Sequence, residues 1–412
     1  MVNLNNYNKF SIVLFLILPI SLIFSSAIST IIVSILSLHG LFMYFNQKNI
    51  NNNILNIIRV LLIWSLLIII SSFASKNILL SLESSLFYTR FVFFAFYIYY
   101  FLSFVKNSYT LFGYFLIFTI LILLVDSSFQ YFTLYNLFGN QSPSDVQITS
   151  FFGYKRVLGS YLSRMSPLLL IISIITYKKN NFLFYSSIFL LSYSFFGVII
   201  SGERSSLVYY LILLLSIVFI FNFSKVFKLL FFFTIIISFL LIMSFDSSLK
   251  KRIVDVSIEQ LYKNKTLDLS QSVYFPLFKT SLILFKDKPI TGIGPKNFRE
   301  ECKNINIKKG CSTHTHNIYI QLLSETGILG FIPFVLMYFY SLIVFLKLSF
   351  KGLVISYLSR NELVKIVCLL SILLNFFPFL PHGNFFGSWL SILFYLPLGF
   401  YFHTFHNEID SI

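Results

Sequence analysis

The amino-acid sequence predicts an all-α polytopic membrane protein with about twelve transmembrane helices and one large outward loop. Three observations lead there. Hydrophobic residues form 57% of the 412-residue chain and charged residues only 11%, with a mean hydropathy of +0.82. Soluble domains carry about 25% charged residues. Apolar runs close to the roughly 20 residues that cross a bilayer recur from one end to the other. The basic residues collect in alternate short connections, as expected where one membrane face retains Lys and Arg.

Taken in order, the runs lie near 10–26, 28–45, 54–73, 86–105, 110–126, 161–177, 182–200, 206–223, 226–245, 328–347, 361–379 and 384–402. The first two share one apolar stretch, which a turn near 25–30 divides into a hairpin. A signal peptide over 9–29 is the alternative, but the second run supplies the partner of a retained helix. Lys9, Lys48 with Arg59, Lys106, Lys178 and Lys179, Lys225 with Lys228, and Lys347 with Lys351 fall on one side, assigned to the cytoplasm. An even helix count places the tail 403–412 there too. The opposite face receives 76–85, 129–161, 201–205, 246–316 and 381–383. No soluble domain, tandem repeat or low-complexity linker stands out. The chain therefore reads as a single integral-membrane domain over 1–412, with outer loops of interest at 127–160 and 246–316.

The segment 291–330 is a polar island between apolar runs, holding two glycine-rich turns, two cysteines, two histidines and several cations. Loop 246–316 carries thirteen Lys and Arg against seven Asp and Glu. That excess attracts either anionic lipid head groups or an anionic substrate such as a lipid-linked diphosphate. Cys302 and Cys311 are spaced Cys-x8-Cys in this loop. In an oxidising compartment a disulfide is expected. A metal site with His314 and His316 is the rival, but the spacing matches no common zinc pattern. Cys368 falls inside an apolar run and reads as an inert small hydrophobe.

Arg204, in Ser-Gly-Glu-Arg-Ser-Ser, lies at the outer end of one run just before the next. Ionisable groups at membrane depth are costly and are usually functional or paired. A guanidinium keeps its charge and grips phosphate bidentately; pairing with Glu203 or snorkelling to the interface is the plainer reading. His314 and His316 are the loop's two histidines, and a neutral imidazole accepts a proton from an attacking hydroxyl. Residues 317–326 predict a short helix closed by Gly327, with His316 beside its positive end. Glu325 is nine positions beyond His316, on the opposite helical face and roughly 13 Å along the axis. Glu325 is thus expected to anchor the loop through a cation rather than orient His316.

These residues resemble the O-antigen ligase and polymerase superfamily of bacterial envelope glycosyltransferases. Arg204 stands in its Ser-x-x-Arg-like turn. Gly292-Ile-Gly294-Pro-Lys-Asn-Phe298 looks like its Gly-x-Gly-x-x-x-Phe turn. His316-Asn317, Leu322, Glu325, Gly327 and Gly330 fit its His-Asn…Glu-x-Gly-x-x-Gly signature. The stretch 126–164, with Asp126, Gln130, Phe151-Phe152-Gly153 and Gly159-Ser160-Tyr161, is similar to its preceding outer loop.

The resemblance implies a GT-C-like membrane fold in the inner membrane, with the active site facing the periplasm. It implies transfer of an undecaprenyl-diphosphate-linked glycan to an acceptor hydroxyl, on lipid A-core for a ligase and on another repeat unit for a polymerase. No Asp-x-Asp occurs, in keeping with metal-independent chemistry; no cofactor and no nucleic acid is expected, and membrane lipids are the surroundings. The leaving diphosphate then falls to side chains. Arg204 takes the diphosphate and His316 the acceptor hydroxyl, with Lys279, Arg299 and Arg252 as further phosphate ligands and His314, Asn317, Glu325, Gly292 and Gly294 in support. One departure stands out. The family often carries a second arginine about fifteen residues before the proline of the Lys-Pro-x-x-Gly-x-Gly turn, and counting back from Pro289 gives Tyr274. The rival class is a polytopic transporter or flippase, which concentrates ionisable residues near the midplane of several helices. Here such residues are few, with Arg59 and Arg90 as candidates, and the polar chemistry gathers in outer loops.

Overall fold

A computed structural model describes residues 6–47, 50–144, 146–220, 225–263, 266–267, 270, 272–355 and 358–406. Its helices are α1 Asn6–Phe24, α2 Ser26–Asn46, α3 Asn52–Ser72, α4 Ile78–Tyr88, α5 Arg90–Phe104, α6 Ser108–Thr133, α7 Leu158–Thr176, α8 Asn181–Ile200, α9 Arg204–Ile220 and α10 Lys225–Phe245. The outer loop adds α11 Ser247–Lys250, a π-turn Lys251–Asp255, α12 Val256–Leu261, α13 Phe275–Asp287 and α14 Phe298–Glu301. The chain closes with α15 Ile318–Ile355, α16 Arg360–Asn375 and α17 Ser388–His403. A two-residue ladder pairs Tyr262–Lys263 with Thr266–Leu267.

Among the described residues, helix occupies each of the twelve apolar runs, and seven helices are long and apolar enough to span a bilayer. The remaining apolar helices are shorter: α16 and α17 have 16 residues each, and α1 and α9 present only shorter apolar stretches. Two boundaries also move. The run placed at 86–105 begins earlier, where Asn77 caps Leu80 N–H, and it continues past a break at Thr89. The loop placed at 127–160 is shorter, because α6 extends to Thr133 and α7 begins at Leu158.

α7 forms the bundle's axis. Nearly all of its side chains are buried, between α8, α9 and α16. α5 packs between α2 and α17 in a second aromatic layer where Phe15, Tyr97, Phe101 and Phe112 stack. Large apolar side chains such as Leu38, Phe42, Phe118 and Leu336 remain exposed on the outside of the bundle. In a bilayer such a face meets lipid tails, and every backbone group must be satisfied within the protein.

Connections gather at two opposite ends, as the alternating basic pattern predicts. At one end Asn51 Nδ2 donates to Phe405 O, Asn361 Nδ2 to Thr404 O and Arg360 Nη2 to Tyr177 O. At the other, Lys76 pairs with Glu301 and the His382 N–H donates to His316 O. All the polar-island residues lie at this second end.

Candidate active site

The Gly-x-Gly turn is built to repair a broken helix. Within α15, Gly327 has φ 58° and ψ −161°, a backbone state reserved for glycine, and the helical hydrogen-bond ladder stops there. The freed groups are met by 289–294: Ile293 N–H donates to Ser324 O at 3.0 Å and Gly294 N–H to Glu325 O at 2.8 Å. Beyond the break, Ile328 N–H donates to Pro289 O at 3.0 Å and Leu329 N–H to Ile290 O at 3.2 Å. Such close approach excludes side chains. A Cβ on Gly292 would stand 2.5 Å from the Glu325 carbonyl carbon, and one on Gly327 would stand 2.3 Å from Ile290 O. The turn therefore supplies shape and backbone pairing.

Glu325 completes this joint. Its fully buried carboxylate accepts from Phe298 N–H at 3.2 Å and from Gln321 Nε2 at 3.0 Å. The direct bonds are to a backbone amide and an amide side chain, and the Arg299 guanidinium is near enough to act on the carboxylate, in keeping with the cation that the sequence suggested. Cys302 and Cys311 are joined as a disulfide next to α14, at a Cα separation of 5.1 Å. Among the described residues no group of three or more His, Cys, Asp or Glu is arranged to hold a metal ion.

The loop above the joint carries the histidines. Asn317 is the N-cap of α15, its Oδ1 accepting from Tyr319 and Ile320 N–H while Nδ2 donates to Pro378 O. Immediately before it, His316 has φ 58°, left-handed for a residue with a side chain. Its ring lies 4.1 Å from that of His314 and 5.2 Å from Tyr274, centroid to centroid. Burial holds the His316 imidazole below its ordinary value, favouring the neutral ring. His314 is pushed further, to about 4, by burial and then by His316; Arg299 adds to this, while a backbone bond with His382 opposes it.

A cationic group faces these rings. Arg204 opens α9 and donates from Nη1 to Ser257 Oγ at 3.2 Å. Arg252, on the π-turn, donates from Nε to Gly202 O at 2.8 Å. Burial, then Arg204 and Arg156, disfavour charge on Arg252, while Glu203 and Tyr274 oppose them. Glu203, which partly offsets the charge of the group, is itself held by hydrogen bonds. Its Oε1 accepts from Gly159 N–H at 2.7 Å, and its Oε2 from Ser160 N–H at 3.1 Å and Ser206 Oγ at 3.0 Å. It therefore caps α7, and burial pushes its carboxyl above the usual range against those bonds. Among the described residues Arg204 makes no ion pair. The pairing of Arg204 with Glu203 is thereby set aside.

The structure gathers Arg204, Arg252, His314, His316 and Arg299 at one end of the bundle, with Asn317, Glu325, Gly292 and Gly294 beneath them. It does not bring Lys279 in: that residue is exposed on α13, whose buried face is Leu277, Thr280, Ser281 and Leu284. Four residues escaped the sequence reading as members of the site. Tyr274 was noted only as a missing arginine. Arg156 stands in the loop before α7. Arg164 is 6% exposed inside α7, with its guanidinium 5.0 Å over the Tyr209 ring. His382, 3% exposed, lies 2.9 Å from Tyr209 Oη. A charge within an apolar run was the available signal for Arg164; His382 gave none.

Residues 187–335 match a family model described as O-Antigen ligase. The match covers Arg204, Arg252, Tyr274, the Gly-x-Gly turn and the histidine block, and it supports the O-antigen ligase and polymerase superfamily indicated by the motifs. Comparison with the curated proteins finds no match. With its apolar helices, the chain is a multi-pass membrane protein, and the family implies a glycosyltransferase-like activity on lipid-linked glycan and an acceptor.

Proposed function

We propose that this chain transfers an undecaprenyl-diphosphate-linked polysaccharide to an acceptor hydroxyl of lipid A-core at the periplasmic face of the inner membrane, as an O-antigen ligase. The observation that carries the reading is the gathering of the Arg204, Arg252 and Arg156 guanidiniums beside a histidine pair that burial keeps neutral. Glu203 offsets only part of that positive charge, which calls for an anion, and a diphosphate meets two guanidiniums bidentately. Arg204 also opens a helix, whose positive end favours phosphate. Arg252 takes the second phosphate role that Tyr274 leaves vacant.

In the reaction, the acceptor hydroxyl gives its proton to the His316 imidazole as its oxygen bonds to the anomeric carbon. The bond from that carbon to the diphosphate oxygen breaks, and the electron pair leaves with the diphosphate, whose charge Arg204 and Arg252 stabilise. Burial keeps the His316 ring neutral, and His314 packs against it as a second neutral imidazole. Repeat-unit polymerisation by the same geometry is the second reading, since a hydroxyl of another lipid-linked repeat would present the same acceptor chemistry.

The experiment is the lipopolysaccharide ladder of a deletion strain carrying wild-type, R204A or H316A protein. Loss of O-antigen with accumulated lipid-linked polymer is expected in both variants at normal membrane levels. Capped single repeats would instead assign polymerisation, and a full ladder in either variant would overturn the site.

A further inference from the structure

We infer that Tyr209 and His382 are positioning residues for His316, forming a strut that ties the histidine loop to the helix bearing Arg204. The inference rests on the role proposed for His316. Its starting point is the left-handed backbone of His316, φ 58°, which a side-chain-bearing residue holds only when its surroundings impose it. One imposing contact is the His382 N–H, which donates to His316 O at 2.8 Å. His382 belongs to the connection between α16 and α17, outside the family match.

That connection is itself pinned. The His382 ring is buried, and its Nε2 is 2.9 Å from the Tyr209 hydroxyl. Tyr209 is equally buried, five residues into the helix that Arg204 begins. Its ring face carries the Arg164 guanidinium at 5.0 Å, and Arg164 Nη1 donates to Ser160 O at 3.2 Å. Ser160 N–H in turn binds Glu203, the residue preceding Arg204. A closed path of contacts thus runs from the backbone of the proposed base to the helix end that holds the proposed phosphate ligand. Its consequence is a fixed distance between the two halves of the reaction, on which rate depends steeply.

The test uses full-length protein in lipid nanodiscs, with lipid-linked donor and acceptor extracted together from a strain lacking the gene. Tyr209→Phe keeps the ring and removes only the hydroxyl, so folding is preserved. It is expected to lower kcat about 10- to 100-fold with KM for the donor unchanged. His382→Ala should do the same, the double variant should be no slower than either single one, and His382→Gln should recover much of the rate by accepting from Tyr209. Wild-type kcat in Y209F, a change confined to KM, or additive losses beside an inactive H316A would overturn the strut alone. Full activity in H316A would overturn the role of His316, and the inference with it.

Discussion

At the scale of single residues, the site separates charge from protonation. Burial, then the Arg204 and Arg156 guanidiniums, disfavour charge on Arg252 against Glu203 and Tyr274, so a bound anion relieves it. R252A is expected to lower transfer about 100-fold, whereas Tyr274→Phe keeps the ring against His316 and should stay within a few-fold of wild type. Radiolabelled glycan transfer in nanodiscs measures both, and near-normal transfer in R252A would remove it from the phosphate site. The pH profile tests the base. Burial lowers the His316 pKa below 6.5, so the neutral, proton-accepting ring persists from alkaline pH down past 6.5 and is lost only in more acid buffer. Rate should be level between pH 8 and 6.5 and fall below it; a decline beginning above 6.5 would contradict the assignment. Arg204 and His316 were legible in the sequence because a charge at the end of an apolar run and a His-Asn before a helix are local patterns. Arg252 was legible only as one of three candidate cations, and Tyr209 with His382 were not, because their meaning depends on which helix ends meet.

At the scale of elements, the central device is the break in α15 and the turn that mends it. Four backbone hydrogen bonds between 289–294 and 324–329 replace those the helix gives up at Gly327. Sequence showed this joint as a helix stop followed by a new run, and it placed Gly292 and Gly294 in a supporting turn. It could not show that the two features are partners, since 289–294 and 324–329 are far apart along the chain. Gly327→Ala would add a Cβ against Ile290 O and force a backbone state that costs about 1–3 kcal/mol for other residues. Thermal unfolding followed by fluorescence should show a clearly lower midpoint for G327A, with Ile328→Ala nearly neutral because Ile328 is exposed. An unchanged midpoint in G327A would mean that the joint relaxes freely. The neighbouring Cys302–Cys311 link closes a short loop on α14. By loop entropy such a closure is worth about 2–3 kcal/mol, so C302S with C311S should destabilise α14 and weaken transfer while leaving the helical content of the bundle intact by circular dichroism.

At the scale of the whole molecule, the arrangement of ends decides what the chemistry is for. The site at one end combines residues from loops 134–157, 201–203, 246–316 and 376–387, so it exists only once the helices flanking those loops have been placed with their ends in alternation. The basic residues of the short connections predicted that alternation, and the contacts among Asn51, Tyr177, Arg360, Asn361 and Phe405 at the far end agree with it. The number of crossings was less legible, because apolar length alone does not decide whether a helix of 16 residues such as α16 is a full span. Orientation is open to direct measurement. With the basic end in the cytoplasm, alkaline phosphatase fused after Gly139 should be active, and the same enzyme fused after His406 should be inactive. Green fluorescent protein at those positions should give the opposite pattern. Active phosphatase after His406 would place Arg204, His316 and the disulfide in the cytoplasm, a reducing compartment in which neither the Cys302–Cys311 bond nor transfer to a periplasmic acceptor could be sustained.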